Sequence, residues 1–123
     1  METHKDLRVW QSSIEMVTLI YLMTKAFPKD EIFGLVSQMR RAAISVPSNI
    51  AEGYARGTDK EKLHFLRISS GSLSEIETQL MLSFNLGYIS QKEFDESSEF
   101  ITSVWKQLNA LIRTVKKRMP VQD

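Results

Sequence analysis

The chain has 123 residues, 42% hydrophobic and 25% charged, with a net charge of +1, the composition expected of one soluble globular domain spanning residues 1–123. The absence of cysteine excludes disulfides, a thiolate nucleophile and a zinc–thiolate centre. No run approaches the ~18 apolar residues of a membrane span, and the polar start from Met1 to Arg8 does not read as a signal peptide, so no membrane contact and a cytoplasmic location are expected.

The periodicity predicts four long helices, over about 6–27, 30–55, 59–86 and 91–118. In the first, Leu7, Trp10, Ile14, Val17, Tyr21 and Thr24 form the expected inward stripe, widened by Ile20 and Phe27, and Pro28 is expected to end it. In the second, Ile32, Val36, Met39, Ala43, Val46 and Ile50 keep a 4, 3, 4, 3, 4 spacing straight across Pro47. An interior proline removes a backbone hydrogen bond, so one helix kinked near Pro47 is expected, with Ser45 or Ser48 answering freed carbonyls. Gly57 suits a helix C-terminus.

Thr58 and Glu61 read as a capping box opening the third helix, which carries Leu63, Leu66, Ser70, Leu73, Ile76, Leu80 and Phe84. Its small middle, Ser69-Ser70-Gly71-Ser72, is expected to let a neighbour approach closely, either the bulge of the second helix or the ring of Trp10. Gly87 ends this helix, and Ser90 with Glu93 reads as a further capping box. In the fourth helix Phe94, Ser98, Ile101, Trp105, Leu108, Ile112, Val115 and Met119 repeat the heptad spacing, and Pro120 follows. Short connections between long helices predict an all-α, antiparallel up-down-up-down four-helix bundle. Apolar residues off these stripes, Met16, Leu19, Met23, Phe33, Ile44, Phe65, Ile68 and Met81, suggest a second buried face and hence an oligomer.

Chemistry is sparse. A di-iron bundle needs two Glu-x-x-His motifs; only Glu61 to His64 matches, Glu61 is taken by the cap, and the other histidine, His4, lies outside any such motif. Neither histidine has an evident Ser/Asp constellation for nucleophilic catalysis. Glu75 and Glu77 point to different sides of a helix, so they form no carboxylate dyad, and one of them is expected to pair with Arg40, Arg41 or Arg67. No glycine-rich phosphate loop is present. The expectation is a protein that is not an enzyme and needs no metal or other cofactor.

Charge is unevenly spread. One end of the predicted bundle collects Lys5, Arg8, Arg56, Lys60, Lys62, Arg113, Lys116, Lys117 and Arg118 against Glu2, Asp6, Asp59, Glu61 and Asp123, a net of +4. The other end holds Lys25, Lys29 and Lys92 against Asp30, Glu31, Glu93, Asp95, Glu96 and Glu99, a net of −3. The helix macrodipole by itself favours bases late in the last helix and acids early in it. It disfavours Lys60 and Lys62 at a helix N-terminus. These two, with Arg56, Arg67, Arg40 and Arg41 and with Arg113, Lys116, Lys117 and Arg118, are the candidate nucleic-acid contacts. No aromatic interleaving marks a single-strand stacking platform, so contact would be to phosphate.

Asp6-Leu7, Trp10-Gln11, Phe27-Pro28, Gly34-Leu35, the run from Gln38 to Ala43, the run from Ser45 to Gly53, Phe65-Leu66, Gly71 to Leu73 and Glu77 to Leu80 together resemble a bacterial four-helix-bundle family, roughly over residues 5–118. Its members are encoded in intervening sequences of 23S ribosomal RNA genes. The resemblance implies an antiparallel bundle assembled into a ring-shaped homopentamer, with a role linked to ribosomal RNA. A related branch, the accessory protein of diversity-generating retroelements, forms the same kind of pentamer and is linked to nucleic acid and a reverse transcriptase through basic surfaces. The family supplies no catalytic residues. Arg40, Arg41 and Asn49 match its signature, for which folding and binding roles are both open. Two functions follow as expectations: an RNA-binding homo-oligomer, or an interaction scaffold gripping a protein partner such as a polymerase.

Overall fold

The computed structural model describes residues 3–120. Among them the architecture is all-helical: α1 is Arg8–Thr24, α2 Ser37–Arg56, α3 Asp59–Asn85 and α4 Gln91–Lys117, forming a four-helix bundle. Several starts and stops have a local cause. Thr3 and Asp6 form a reciprocal capping box on a short 3-10 turn, His4–Asp6, and Leu7 then breaks into extended geometry before α1 begins. Thr58 accepts from the Glu61 amide, but only this half of the expected box forms. Ser90 and Glu93 complete both halves at the start of α4. Gly57 and Gly87 adopt φ of 88° and 78°, left-handed values that any side chain would strain.

Helix α1 ends three residues before the expected Phe27. The amides of Ala26 and Phe27 bond back only three residues, to Met23 and Thr24, and the tightened turn tucks Phe27 into the core. The second helix does not begin at residue 30 as one regular helix. A 3-10 turn, Lys29–Glu31, leads into a π-turn, Ile32–Val36, and Gly34 inside it leaves helical geometry at φ −111°, ψ −112°. The backbone break on this segment is therefore at Gly34, while α2 runs as continuous helix through the buried Pro47. Ile32, expected on the inward stripe, is turned out by this break and is half exposed.

Contacts between neighbouring helices run in opposite senses. Ser69, Ser72 and Ser83 ascend α3 while their partners Val46, Ser45 and Met39 descend α2. Met23 meets Ser97, and Ser12 meets Gln107, so α1 and α4 pair in the same way. Each helix packs on two others, in the cyclic order α1, α2, α3, α4. Met16, Ile20, Met39, Val46, Ile50, Leu66, Leu73, Ile76, Leu80, Ile101 and Leu108 are buried along the axis.

The stripe expected on the first helix is rotated by about one residue. Val9, Ser13, Met16, Ile20, Met23 and Thr24 face inward, Ile14 is exposed, and Trp10, Val17 and Tyr21 lie at the margin. Two adjacent apolar rows with the same 3,4 rhythm stand ~100° apart on a helix, so spacing cannot choose between them. Met16 and Met23 thus belong to the core rather than to a second face, whereas Phe33, Ile44, Ile68 and Met81 are exposed.

The small stretch on α3 receives α2, not Trp10. Ser69 Oγ donates to the Val46 carbonyl at 2.9 Å, and Ser72 Oγ bonds Ser45 Oγ at 2.8 Å. A Cβ on Gly53 would stand 3.0 Å from Phe65 Cβ and 3.3 Å from the Lys62 backbone, so this glycine sets the α2–α3 spacing near the helix ends. Gly71 serves no such contact, because a Cβ there meets nothing within 4 Å. Trp10 lies instead beside His4, with ring centres 5.1 Å apart, and near Pro47 and Ile44.

Candidate nucleic-acid interface

The expected basic residues fall into two groups. Arg118 Nη2 lies 3.1 Å from Asp59 Oδ1, which ties the end of α4 to the start of α3. The same carboxylate lies 3.8 Å from Lys62 Nζ. Arg56, Lys60, Lys62, Arg113, Lys116, Lys117 and Arg118 therefore share one end of the bundle. Arg8 joins them, since Leu7 and Arg8 flank Ala110 and Thr114 of α4. Glu2 and Asp123, counted with this end in the sequence, lie outside the described residues.

The cations there are not equivalent. Arg56 is held by Glu52 at 2.7 Å and sits 5.3 Å from the Phe65 ring centre. Lys62 lies 4.8 Å from the Tyr54 ring centre as well as near Asp59. These contacts orient the two side chains and lower what either would gain from a new anion. Lys60, Arg113, Lys116 and Lys117 are exposed and make no ion pair among the described residues. Four such charges on two helix ends can each meet a phosphate without first breaking a protein contact. Arg67 is exposed on α3, seven residues on from Lys60, roughly 10 Å along the axis.

Arg40 and Arg41 do not join this end. Arg40 Nε donates to Thr24 Oγ1 at 3.0 Å, its Nη2 donates to the Tyr21 carbonyl at 3.3 Å, and its guanidinium lies 4.4 Å from the Tyr21 ring centre. Those contacts close the α1–α2 seam. Arg41 is exposed, and both arginines line a groove of about 840 Å³ between α1 and α2. Lys25 and Lys29 also line it, although the sequence assigns them to the acidic end. Nothing along the chain signals this grouping, because residues 25 and 41 meet only through the α1–α2 packing. Asn49, the other signature residue, donates Nδ2 to the Ser45 carbonyl at 2.8 Å, a bond within its own helix.

The expected pairing of Glu75 or Glu77 with an arginine does not form. Glu77 Oε1 accepts from the Trp105 indole at 2.6 Å instead, because α4 rather than α2 covers that side of α3. His64 packs edge-on against Phe65, with ring centres 5.0 Å apart.

The model of the 23S rRNA-intervening sequence protein family matches residues 5–110. A crystal structure of a protein of unknown function from the S23 ribosomal protein family of Bacteroides thetaiotaomicron superposes with a TM-score of 0.77 at 22% identity, covering 85% of this chain and 95% of that one. That likeness shows a shared fold. No protein of curated function matches. With the family model spanning α1, α2, α3 and most of α4, the chain belongs to the 23S rRNA-intervening sequence protein family.

Proposed function

We propose that this protein is a non-enzymatic, cytoplasmic RNA-binding protein acting as a homo-oligomer, which grips RNA phosphates with the end of the bundle where α2 stops, α3 starts and α4 stops. The observation that carries the reading is the Arg118–Asp59 contact, which gathers the bases of two distant segments onto one surface. Lys60, Arg113, Lys116 and Lys117 are the primary phosphate contacts, with Arg56, Lys62 and Arg118 as secondary ones. Such contact carries little sequence information. The family description supports ribosomal RNA as the class of target. The oligomer draws support from Phe33, Leu22, Ile32 and Leu86, which are 96%, 59%, 50% and 55% exposed. In an assembly the basic ends of several copies would add.

The test is fluorescence anisotropy of a labelled structured RNA titrated with protein at several salt concentrations. Micromolar or tighter binding that weakens steeply with salt is expected. Reversing Lys60, Arg113, Lys116 and Lys117 to glutamate should abolish it while the helical circular dichroism is retained. Unchanged affinity in that variant would remove the basic end from consideration.

A further inference from the structure

Among the described residues one aromatic side chain is almost wholly in water, and it is held there by a dedicated mount. Phe33 is 96% exposed on the π-turn that leads into α2. Glu31 accepts from the Leu35 amide at 3.3 Å through Oε1 and from the Tyr88 hydroxyl at 2.8 Å through Oε2. A Cβ at Gly34 would come within 2.9 Å of that same Glu31 Oε1, so the turn accepts only glycine without displacing the carboxylate. The segment bearing Phe33 is thus braced from the α3–α4 connection.

Around Phe33 lies the α1–α2 groove. Its charged lining is Lys25, Lys29, Arg40 and Arg41, with no acid, and its apolar lining includes Ile32 and Ile44, both about half exposed. The opposite face has the complementary character. A second groove, of about 420 Å³ between α3 and α4, is lined by Met81, Leu82, Phe94 and Glu77 and by no base. Asp95 and Glu99 stand next in sequence to Phe94 and Ser98 on its α4 wall. Met81 and Leu82 are 48% and 47% exposed.

The two grooves lie at one level of the bundle. Thr24 bonds Arg40, Met39 meets Ser83 and Met23 meets Ser97, which puts all four helices in one layer there. Because α1 packs on α2 and α4, and α3 on α2 and α4, the α1–α2 and α3–α4 grooves face opposite ways. Copies joined through them would follow one another head to tail.

We infer that a second copy of this chain is the occupant: Phe33 of one copy enters the α3–α4 groove of the next, with Lys25, Lys29 and Arg41 facing Glu77, Asp95 and Glu99. The inference deepens the oligomeric part of the function proposed above and does not depend on RNA. A contact between two different faces is heterologous, and it yields a ring when the rotation closes and a filament when it does not. Charge complementarity selects this pairing, because two like grooves face to face would oppose either four cations or a set of carboxylates.

Sedimentation or light scattering of three preparations tests it. Phe33→Asp removes the insert and Leu82→Asp spoils the receiving groove; both positions are exposed, so each variant should keep the wild-type circular dichroism and run as a monomer. Mixed one to one, they should give a dimer and nothing larger, since each retains the half that the other has lost. Either variant keeping the wild-type mass, or a mixture that stays monomeric, overturns the inference. A wild-type protein that is itself monomeric at high concentration overturns the oligomer altogether, whereas a persisting oligomer in Phe33→Asp overturns only this interface.

Discussion

Ser69 on α3 donates its hydroxyl to the Val46 carbonyl on α2 at 2.9 Å, one residue before Pro47. Both residues are fully buried. The bond joins the small stretch of α3 to the stretch of α2 that contains the proline. Neighbouring Ser72 adds its bond to Ser45. The serines here serve close packing and polar satisfaction together, and a larger apolar residue could supply neither.

Substitutions at Ser69 should separate these two roles. Ser69→Ala removes one hydrogen bond and should cost about 0.5–1.5 kcal/mol. Ser69→Leu must also fit extra methylenes into a filled seam, which should cost a further 1–3 kcal/mol or so. Urea unfolding of the two variants measures both. A leucine variant as stable as the alanine one would show that the seam has room.

Gly53 and Gly71 should respond to alanine with opposite signs. Both lie inside helices, where glycine is about 1 kcal/mol worse than alanine. At Gly53 the new Cβ meets the Lys62 backbone and Phe65 Cβ, neither of which is a flexible tip, so the propensity gain is outweighed and the protein loses stability. At Gly71 the space is open, and Gly71→Ala should stabilise by up to about 1 kcal/mol. Thermal melts of the pair decide it, and destabilisation at Gly71 would mean that another molecule approaches that surface.

Asp59 is the carboxylate that holds Arg118 and Lys62 at the basic end. Asp59→Asn should free both cations and remove a local negative charge. RNA binding should then tighten, and the dependence of log K on log salt should steepen by up to about 0.9 for each phosphate gained. The substitution also takes an acid from the first turn of α3, at a cost of roughly 0.3–1 kcal/mol in stability. Affinity and melting temperature are expected to move in opposite directions. Weaker RNA binding by a folded Asp59→Asn protein would argue that the pairs position the cations productively.

Tyr88 titrates above its ordinary value of 10.0, first because its hydroxyl donates to Glu31, then because of desolvation and the negative charges of Glu31 and Asp30. The sign follows directly. With a folded pKa above the unfolded one, the bond contributes fully below pH 10 and is lost as pH rises through the raised value. The difference in alkaline ultraviolet titration between wild type and Tyr88→Phe isolates this residue from Tyr21 and Tyr54. Its midpoint should lie above 10.0, and Glu31→Gln should bring it down. A midpoint at or below the ordinary value would mean that the Tyr88–Glu31 brace is not formed in solution.

The periodicity of α4 was legible in part: Ile101, Leu108 and Val115 are buried as the heptad spacing predicts, while Ser97 and Val104 are buried off that row and Phe94, Trp105 and Ile112 lie only at the margin. Phe100, Val104 and Leu111 stand off the expected row, and the core face lies between them and it. Helix α1 has two apolar rows, and only the neighbours it packs against select Met16 over Ile14. The basic end was legible because short connections put α2, α3 and α4 termini together whatever the packing angles. The groove joining Lys25 and Lys29 to Arg40 and Arg41 was not, because it depends on how closely α1 approaches α2.

What the sequence by itself determined is the set of helices, most of their ends and the gathering of bases where α2 stops, α3 starts and α4 stops. These follow from local forces: apolar spacing, capping side chains, and glycines that tolerate positive φ. What only the tertiary structure decided is which face of α1 is core, that the segment leading into α2 breaks at Gly34, that Arg40 is held by Thr24 and Tyr21, and that Phe33 stands in water. Each of these depends on groups far apart in the chain competing for the same neighbours, and close packing settles that competition only when all four helices are in place.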